Sequence, residues 1–243
     1  QKMSKSLGNG VDPNDIIHSH GADAMRFTLV QMTTDTQDVR MPVDMVCAHT
    51  GESFTPEFIV TPAGHTVAAP IQTCPSDPAL TMVSGYGLAS GLIEPTDKTP
   101  RARNTSAKFD NGRNFANKVW NAVRFALKRV GSDTHVGTPV DVAARPFADR
   151  WILAQLTRTI GRLEHALEHY HFNGYADTLY DFVWHDVCDR YLEIVKPTID
   201  DDPEQQVVLA NVLDAVLRLM HPVCPFVTEA LTPRLDRGIR VVV

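Results

Sequence analysis

Apolar residues recur at helical spacing through the second half of the chain, and this pattern constrains the fold most. Between Phe147 and Tyr170 they stand three or four residues apart, as they do along one face of an α-helix. Such spacing predicts long helices over 111–130, 147–170, 173–196 and 203–220, and a shorter one from about Pro225. Long helices joined by short links predict a mainly α protein whose second half is an antiparallel helical bundle.

The first half of the chain divides into two further regions. Residues 1–42 have the pattern of a polar loop followed by short helices, the first of which Asp12 can cap. Residues 43–108 contain recurring prolines, glycines and threonines between brief β-prone runs. We therefore predict three domains: residues 1–42, a loop-rich insert with a possible small β-hairpin at residues 43–108, and the bundle at residues 109–243.

Composition and charge exclude several classes of protein. Hydrophobic residues make up 43% and charged residues 21% of the 243-residue chain, a balance that excludes wholesale disorder. The net charge of −6 argues against binding nucleic acid through overall basicity, so any RNA binding must come from a local patch. The four cysteines are too few for a disulfide framework. We expect a cytoplasmic protein with no membrane segment.

The strongest motif stands at the start of the chain. KMSKSLGN occupies residues 2–9, and it is followed by Asp12-Pro13 and by GADAMRF at residues 21–27. This run resembles the signature loop of the class I aminoacyl-tRNA synthetases, with the spacing of that family. We call residues 2–9 the signature loop.

The resemblance implies a role for the loop in handling ATP with Mg²⁺. It implies that Lys2 and Lys5 are catalytic, with Lys5 the stronger candidate, and that Ser4 and Ser6 join them in binding ATP. Activating an amino acid with ATP builds negative charge on the departing pyrophosphate. A lysine ammonium is a compact charge on a flexible stem, and preorganised cations lower the barrier to such a step.

Two helical segments resemble one branch of this family, the valyl enzymes, and a third resembles several branches. The first two are GRNFANKVWNAVRF at residues 112–125 and FNGYADTLYDFVWHDVCDRYLEIVKP at residues 172–197. The third, HPVCPFVTEAL at residues 221–231, is similar to a segment that valyl, isoleucyl and leucyl enzymes share. The family usually has tryptophan where Arg190 and Thr232 stand, so any contact that those aromatic rings make is in doubt here.

This resemblance implies a C-terminal fragment of a valine–tRNA ligase. Such an enzyme activates valine with ATP and transfers it to tRNA(Val). The family's histidine-bearing nucleotide motif and its domain for hydrolysing mischarged tRNA are absent from this sequence, so we expect the chain alone to be inactive as a ligase. We also expect a monomer. Two alternatives remain: an isoleucyl-tRNA synthetase fragment, which residues 112–125 argue against, and a standalone non-catalytic tRNA-binding helical module.

The predicted helix over residues 111–130 carries a polar face that suits RNA. At about 100° per residue, apolar side chains form one broad face of this helix. A second face, which we call the basic stripe, consists of Arg113, Asn117, Asn121, Arg124 and Lys128, with Trp120 at its edge. Cations that neutralise phosphates, amides that read bases and an aromatic ring for stacking suit a single-stranded loop. We therefore predict tRNA binding here, against the alternative of a solvated face with Trp120 in the core.

The insert contains two segments similar to the knuckles of a zinc ribbon. They are CAHTG at residues 47–51 and CPSD at residues 74–77, and each keeps one cysteine of a two-cysteine knuckle. Cys47, His49, Cys74 and Asp77 are weak candidate ligands, and Thr50 is a poor one. Because structural zinc needs four good donors, we predict no metal site and regard zinc as unlikely.

Overall fold

The computed structural model describes residues 2–34, 39, 41–131 and 134–236, so the last residues of the predicted bundle, 237–243, lie outside the description. Its contacts group the chain into two compact units. Unit 1 contains Gln1–Gly21 and Arg40–Asp110, and unit 2 contains Ala22–Val39 and Asn111–Val243. These units run across the three predicted domains, because the end of the first region groups with the bundle. The division into three domains stays a prediction.

Unit 1 combines short helices with very short strands. Helix α1 (Pro13–His20) begins at the predicted cap, where the Asp12 carboxylate accepts a hydrogen bond from the backbone N–H of Asn14 at 2.9 Å. Helix α3 (Gly85–Ala89) begins after Ser84, whose hydroxyl accepts from the backbone N–H of Gly87 at 3.0 Å. The strands are β1 (Asp44–Val46), β2 (Ser53–Phe54), β3 (Phe58–Val60), β4 (Thr66–Ala68), β5 (Ile71–Thr73), β6 (Thr81–Val83) and β7 (Arg103–Thr105).

These strands form three small antiparallel sheets. One has the order β2–β1–β7, with Met45 opposite both Phe54 and Asn104. The other two are the hairpins β3–β4 and β5–β6. The insert is therefore richer in β-structure than the one possible hairpin expected from the sequence. Strands of two or three residues are too short for an alternating pattern to be recognised.

Unit 2 is helical throughout its ordered elements. They are α2 (Ala22–Met32), α4 (Lys108–Arg129, whose first three residues belong to unit 1), α5 (Phe147–Glu168), α6 (Phe172–Asp181), α7 (Leu192–Val195), α8 (Pro203–Met220) and α9 (Pro225–Asp236). A π-helical segment, Phe182–Tyr191, joins α6 to α7 without a break. The predicted fold class, a mainly α chain with a helical bundle and small β-elements, is confirmed.

Apolar faces of these helices meet in one core. Fully buried members from different helices include Phe27, Phe115, Ile152, Leu179, Leu213 and Leu231. The predicted boundaries hold within a few residues; α6, for example, begins at Phe172, one residue before the predicted start at residue 173. Within the described residues, no helix is both long and apolar enough to cross a membrane.

Candidate functional site

The signature loop folds back on itself through Asn9. The side-chain oxygen of Asn9 accepts a hydrogen bond from the backbone N–H of Ser4 at 2.7 Å, and its amide nitrogen donates to the carbonyl of Lys2 at 3.2 Å. The hydroxyls of Ser4 and Ser6 lie 2.7 Å apart, at the start of a short 3₁₀ turn over Lys5–Leu7. This closure leaves the side chains of both lysines exposed to solvent.

Two further contacts within unit 1 hold the loop in place. The amide nitrogen of Asn104 on β7 donates to the carbonyls of Gly8 and Gly10, at 2.9 and 2.7 Å. Gly8 lies directly against Gly85 at the start of α3, so that a Cβ on Gly8 would stand 2.0 Å from the Gly85 carbonyl carbon. With φ at +58°, Gly8 also has a backbone conformation that favours glycine. Both β7 and α3 therefore hold the loop.

A cleft beside the loop brings two cations together. It has a volume of about 430 Å³, and Lys5 and Arg101 both line it, together with Asp12 and the backbone of Gly8 and Gly10. Two cations that line one cleft suit an anionic ligand such as a phosphate chain. Sequence reasoning missed Arg101 and Asn104 as parts of this site. Residues 101–130 contain eight Lys or Arg and only one acidic residue. This local excess of positive charge was the one sequence signal that pointed to Arg101.

The basic stripe lies along α4, and most of its side chains face solvent. Asn117, Asn121, Arg124 and Lys128 are exposed, and Arg113 is half-buried. A neighbouring cation on the same helix, Lys118, belongs elsewhere: its ammonium pairs with Asp189 and lies 4.0 Å from the centre of the Trp184 ring. The hydrogen bond from Lys118 accordingly holds the pKa of the Asp189 carboxyl below its usual value.

Trp120 has a different environment from the stripe residues. It is half-buried and packs against the core of unit 2, and the guanidinium of Arg234 lies over its ring at 4.9 Å. The ring is thus held by α9 on one side. This placement favours the core alternative for Trp120, and its predicted part in RNA binding stays a prediction.

The candidate zinc ligands do not converge on one point. Cys47 and Cys74 do meet, with their sulfur atoms 3.0 Å apart. The ring of His49, however, is hydrogen-bonded through Nε2 to the carbonyl of Thr81 at 3.0 Å, and the Asp77 carboxylate accepts from the backbone N–H of Ala79 at 2.9 Å. Both potential replacements for the missing cysteines are therefore engaged in local structure. The absence of zinc stays a prediction.

One other group of metal-ligating side chains occurs in the described part of the chain. His165, Glu168 and His169 lie at the end of α5, and their ligand atoms are within 4.8 Å of one another. All three side chains are exposed. Sequence reasoning missed that these three donors face one another.

Two family models match parts of the chain. The family described as "tRNA synthetases class I (I, L, M and V)" matches residues 1–42, and the family described as "Anticodon-binding domain of tRNA ligase" matches residues 149–239. The first match contains the signature loop with helices α1 and α2, and the second contains helices α6 to α9. The two families thus cover the opposite ends of the chain, outside the insert.

Relatives match over nearly the whole chain. The valine–tRNA ligase of Rhodopirellula baltica is 39% identical over 240 residues, which are 98% of this chain and 22% of that protein. The valine–tRNA ligase of Thermotoga maritima is 33% identical over 237 residues, which are 97% of this chain and 20% of that protein. The chain therefore spans about a fifth of the length of these relatives.

A solved structure with a similar fold comes from Agrobacterium radiobacter K84. It is the LeuRS chain of a ternary LeuRS–tRNA–LeuAMS complex, and its TM-score with this chain is 0.56 at 19% sequence identity. The match covers 97% of this chain and 21% of the LeuRS chain. At this identity the likeness concerns the fold alone.

Proposed function

Since this chain belongs to the class I tRNA synthetases and is homologous to valine–tRNA ligases along nearly its whole length, we propose that the protein carrying it activates valine with ATP and transfers the valine to tRNA(Val). Within that protein, unit 1 contributes the signature loop. Unit 2 contributes the surface that holds tRNA.

The observation that carries the first role is the cleft that Lys5 shares with Arg101. ATP bound there with Mg²⁺ supplies a phosphate chain as the leaving group. The exposed ammonium groups of Lys2 and Lys5 balance the negative charge that develops on that group, and charges set in place beforehand need no reorganisation during the step. Asn104 and Gly85 hold the backbone from which these lysines project. The hydroxyls of Ser4 and Ser6 stand beside them as further phosphate contacts.

The basic stripe supports the second role. Its two exposed cations, Arg124 and Lys128, stand one helical turn apart. The exposed amides of Asn117 and Asn121 also stand one turn apart on the same stripe. Cations at this spacing can contact successive phosphates, while the amides can reach base edges of an unpaired loop. The chain as a whole carries net negative charge, which repels RNA phosphates. Attraction of RNA must therefore come from a local set of cations such as this stripe.

Exchange of labelled pyrophosphate into ATP tests the activation step in the whole protein. We expect exchange that depends on valine and falls by about 100-fold or more in Lys5→Ala, because the variant lacks one preorganised charge in the transition state. Lys98→Ala is the matched control, since Lys98 is another exposed lysine of unit 1. Exchange that depends on isoleucine instead would indicate the isoleucyl enzyme. A whole protein with no amino-acid-dependent exchange would favour a non-catalytic tRNA-binding module.

A further inference from the structure

Two thiols meet in the small core of unit 1. Cys47 and Cys74 are 27 residues apart in sequence, their sulfur atoms are 3.0 Å apart, and each is only 1% exposed. Met45, Met82 and Ala102 pack with them in one buried cluster. The sulfur atoms need to approach by only about 1 Å to reach the length of a disulfide bond.

The surroundings of Cys74 favour its reactive form. The thiol of Cys47 donates a hydrogen bond to Cys74, and the Ser76 hydroxyl lies 3.6 Å from the same sulfur. A hydrogen bond donated to the Cys74 sulfur favours its thiolate form. A thiolate, and not a thiol, is the nucleophile in cysteine oxidation and disulfide exchange.

The other two cysteines have the opposite environment. Cys188 and Cys224 are buried among apolar side chains of unit 2, and burial raises the pKa of each thiol to about 12. Both are therefore inert thiols at neutral pH. They serve as internal controls for any claim about Cys47 and Cys74.

The paired thiols stand where the two supports of the signature loop meet. Cys47 directly follows β1, which pairs with β7 and so with Asn104. Cys74 directly follows β5, which pairs with β6, and β6 leads through Ser84 into α3 and Gly85. Asn104 and Gly85 are the residues that hold Gly8. A bond between the two sulfur atoms would therefore tie one support to the other.

We propose that Cys47 and Cys74 form a dithiol that closes to an intramolecular disulfide, and that this bond clamps together the two supports of the signature loop. With a peroxide as oxidant, the Cys74 thiolate attacks one peroxide oxygen, the O–O bond breaks, and a sulfenic acid and one water form. Cys47 then loses its proton, and its thiolate attacks the sulfenic sulfur. The S–S bond forms as the S–O bond breaks, and the leaving hydroxide takes up the proton from Cys47 as a second water. The two sulfurs together lose two electrons and two protons, and the peroxide is reduced to water.

Access to this pair follows from the size of its surroundings. Among the described residues, the buried cluster around the two thiols has five members, whereas the core cluster of unit 2 has several times that number. Few buried contacts mean that local opening costs little, so hydrogen peroxide can reach Cys74 without global unfolding. Formation of the bond is independent of the proposed aminoacylation, because the bond can be measured without tRNA or valine.

Mass mapping of the protein that carries this chain tests the proposal. Reduced protein is titrated with hydrogen peroxide, quenched with acid, alkylated with N-ethylmaleimide and digested. We expect the peptides of Cys47 and Cys74 to appear joined, with the loss of two hydrogen atoms, at peroxide concentrations about tenfold or more below those that modify Cys188 or Cys224. The joined peptides should be absent from Cys47→Ser and Cys74→Ser and present in Cys224→Ser.

Hydrogen exchange of the same samples tests the clamp. The amide of Gly8, which donates to the carbonyl of Lys5 at 3.1 Å, should exchange at least about tenfold more slowly in the oxidised wild-type protein than in the reduced one. This comparison uses no variant, so it stands even if a serine variant fails to fold. Equal alkylation of all four cysteines, linkage between molecules, unchanged exchange at Gly8, or stoichiometric zinc bound by the two thiols would each overturn the proposal.

Discussion

The carboxylate of Asp23 accepts a hydrogen bond from the backbone N–H of Val227 at 2.6 Å, and a second from Phe226 at 3.1 Å. Helix α9 begins at Pro225, so a residue near the start of the chain caps a helix more than 200 positions later. Arg26 adds a bond from its guanidinium to the carbonyl of Pro222 at 2.9 Å. Two separate motifs, GADAMRF and HPVCPFVTEAL, are thereby joined inside unit 2.

Removing this cap should destabilise unit 2. Asp23→Ala is expected to lower the free energy of unfolding by about 1–2 kcal/mol, because backbone N–H groups at a helix N-terminus lose both a partner and a favourable charge. Urea unfolding followed by tryptophan fluorescence reports on this unit alone, since Trp120, Trp151 and Trp184 all lie within it. Asp201→Ala, at an exposed aspartate, is the control and should unfold as the wild type does. Equal midpoints for all three proteins would contradict a capping role.

A cluster of charges around Arg145 predicts a pH dependence. The guanidinium contacts Asp149, Asp202 and Glu204, and Asp149 is fully buried. Burial alone raises the pKa of the Asp202 carboxyl. Hydrogen bonds from Arg145 and from the backbone N–H of Gln205 have a larger, opposite effect, so the pKa lies below its usual value. A lowered pKa in the folded state adds stability that is complete above the unfolded pKa of about 3.9 and is lost as the pH falls through the folded pKa.

The loss of that stability in acid should be smaller in a variant of Asp202 and unchanged in a variant of the neighbouring residue. Between about pH 5 and pH 3, the free energy of unfolding should fall less steeply in Asp202→Asn than in the wild type, because the variant no longer takes up that proton. Asp201→Asn keeps the wild-type slope, since Asp201 is the exposed residue next to it. Urea titrations at several pH values measure both slopes, and identical slopes for the two variants would count against the role of the cluster.

Glycine at position 8 should be essential to the signature loop, while glycine at position 10 should not. Gly8→Ala would place a Cβ 2.0 Å from Gly85 at a positive φ, whereas a Cβ on Gly10 meets nothing within 4 Å. We expect the amides of the loop to exchange at least about tenfold faster in Gly8→Ala than in the wild type, and at the wild-type rate in Gly10→Ala. Hydrogen exchange read by mass spectrometry on peptides of unit 1 makes the comparison. Similar protection in both variants would show that the close approach of Gly8 and Gly85 does not hold the loop.

The basic stripe should contribute through phosphate contacts. The double variant Arg124→Ala with Lys128→Ala is expected to bind tRNA about tenfold or more weakly at low salt, and to reduce the slope of log affinity against log salt by roughly 0.7 for each phosphate that is no longer neutralised. Arg218→Ala is the control, since Arg218 is exposed on α8 and paired with Asp214. Filter binding over a range of salt concentrations measures affinity and slope together. An unchanged slope in the double variant would remove the stripe from the tRNA surface.

Most of the helical fold could be predicted from the sequence, because apolar periodicity reports directly on burial along a long helix. Ile152 and Leu163 at helical spacing are indeed fully buried on α5. The contact between Asp23 and α9 could not be predicted, since a carboxylate has the same local sequence signal whether it caps its own helix or a distant one. The meeting of Cys47 and Cys74 was equally hidden, because the pairing of three-residue strands depends on tertiary contacts and leaves no periodic pattern.

The candidate site was predicted only in part, for a related reason. Sequence patterns identified the signature loop and the helix face that carries the stripe, but they carried no information on which residues pack against either. Asn104 and Gly85, which hold the loop, lie in the insert, where no recognised motif marks them. Trp120 has an amphipathic position on the helical wheel, and only its packing in the folded protein favours the core alternative. Residues that support a site are placed by the tertiary fold, and single-sequence patterns report on local structure.

An exchange of anticodons tests most directly whether this chain holds tRNA for a valine-specific ligase. Two tRNAs with the same body, one with the valine anticodon and one with another, are compared for affinity to the 243-residue chain. We predict tighter binding of the valine anticodon by about tenfold, equivalent to about one or two base contacts. Equal affinity for the two tRNAs, with binding that depends only on salt, would contradict an anticodon-reading role for unit 2.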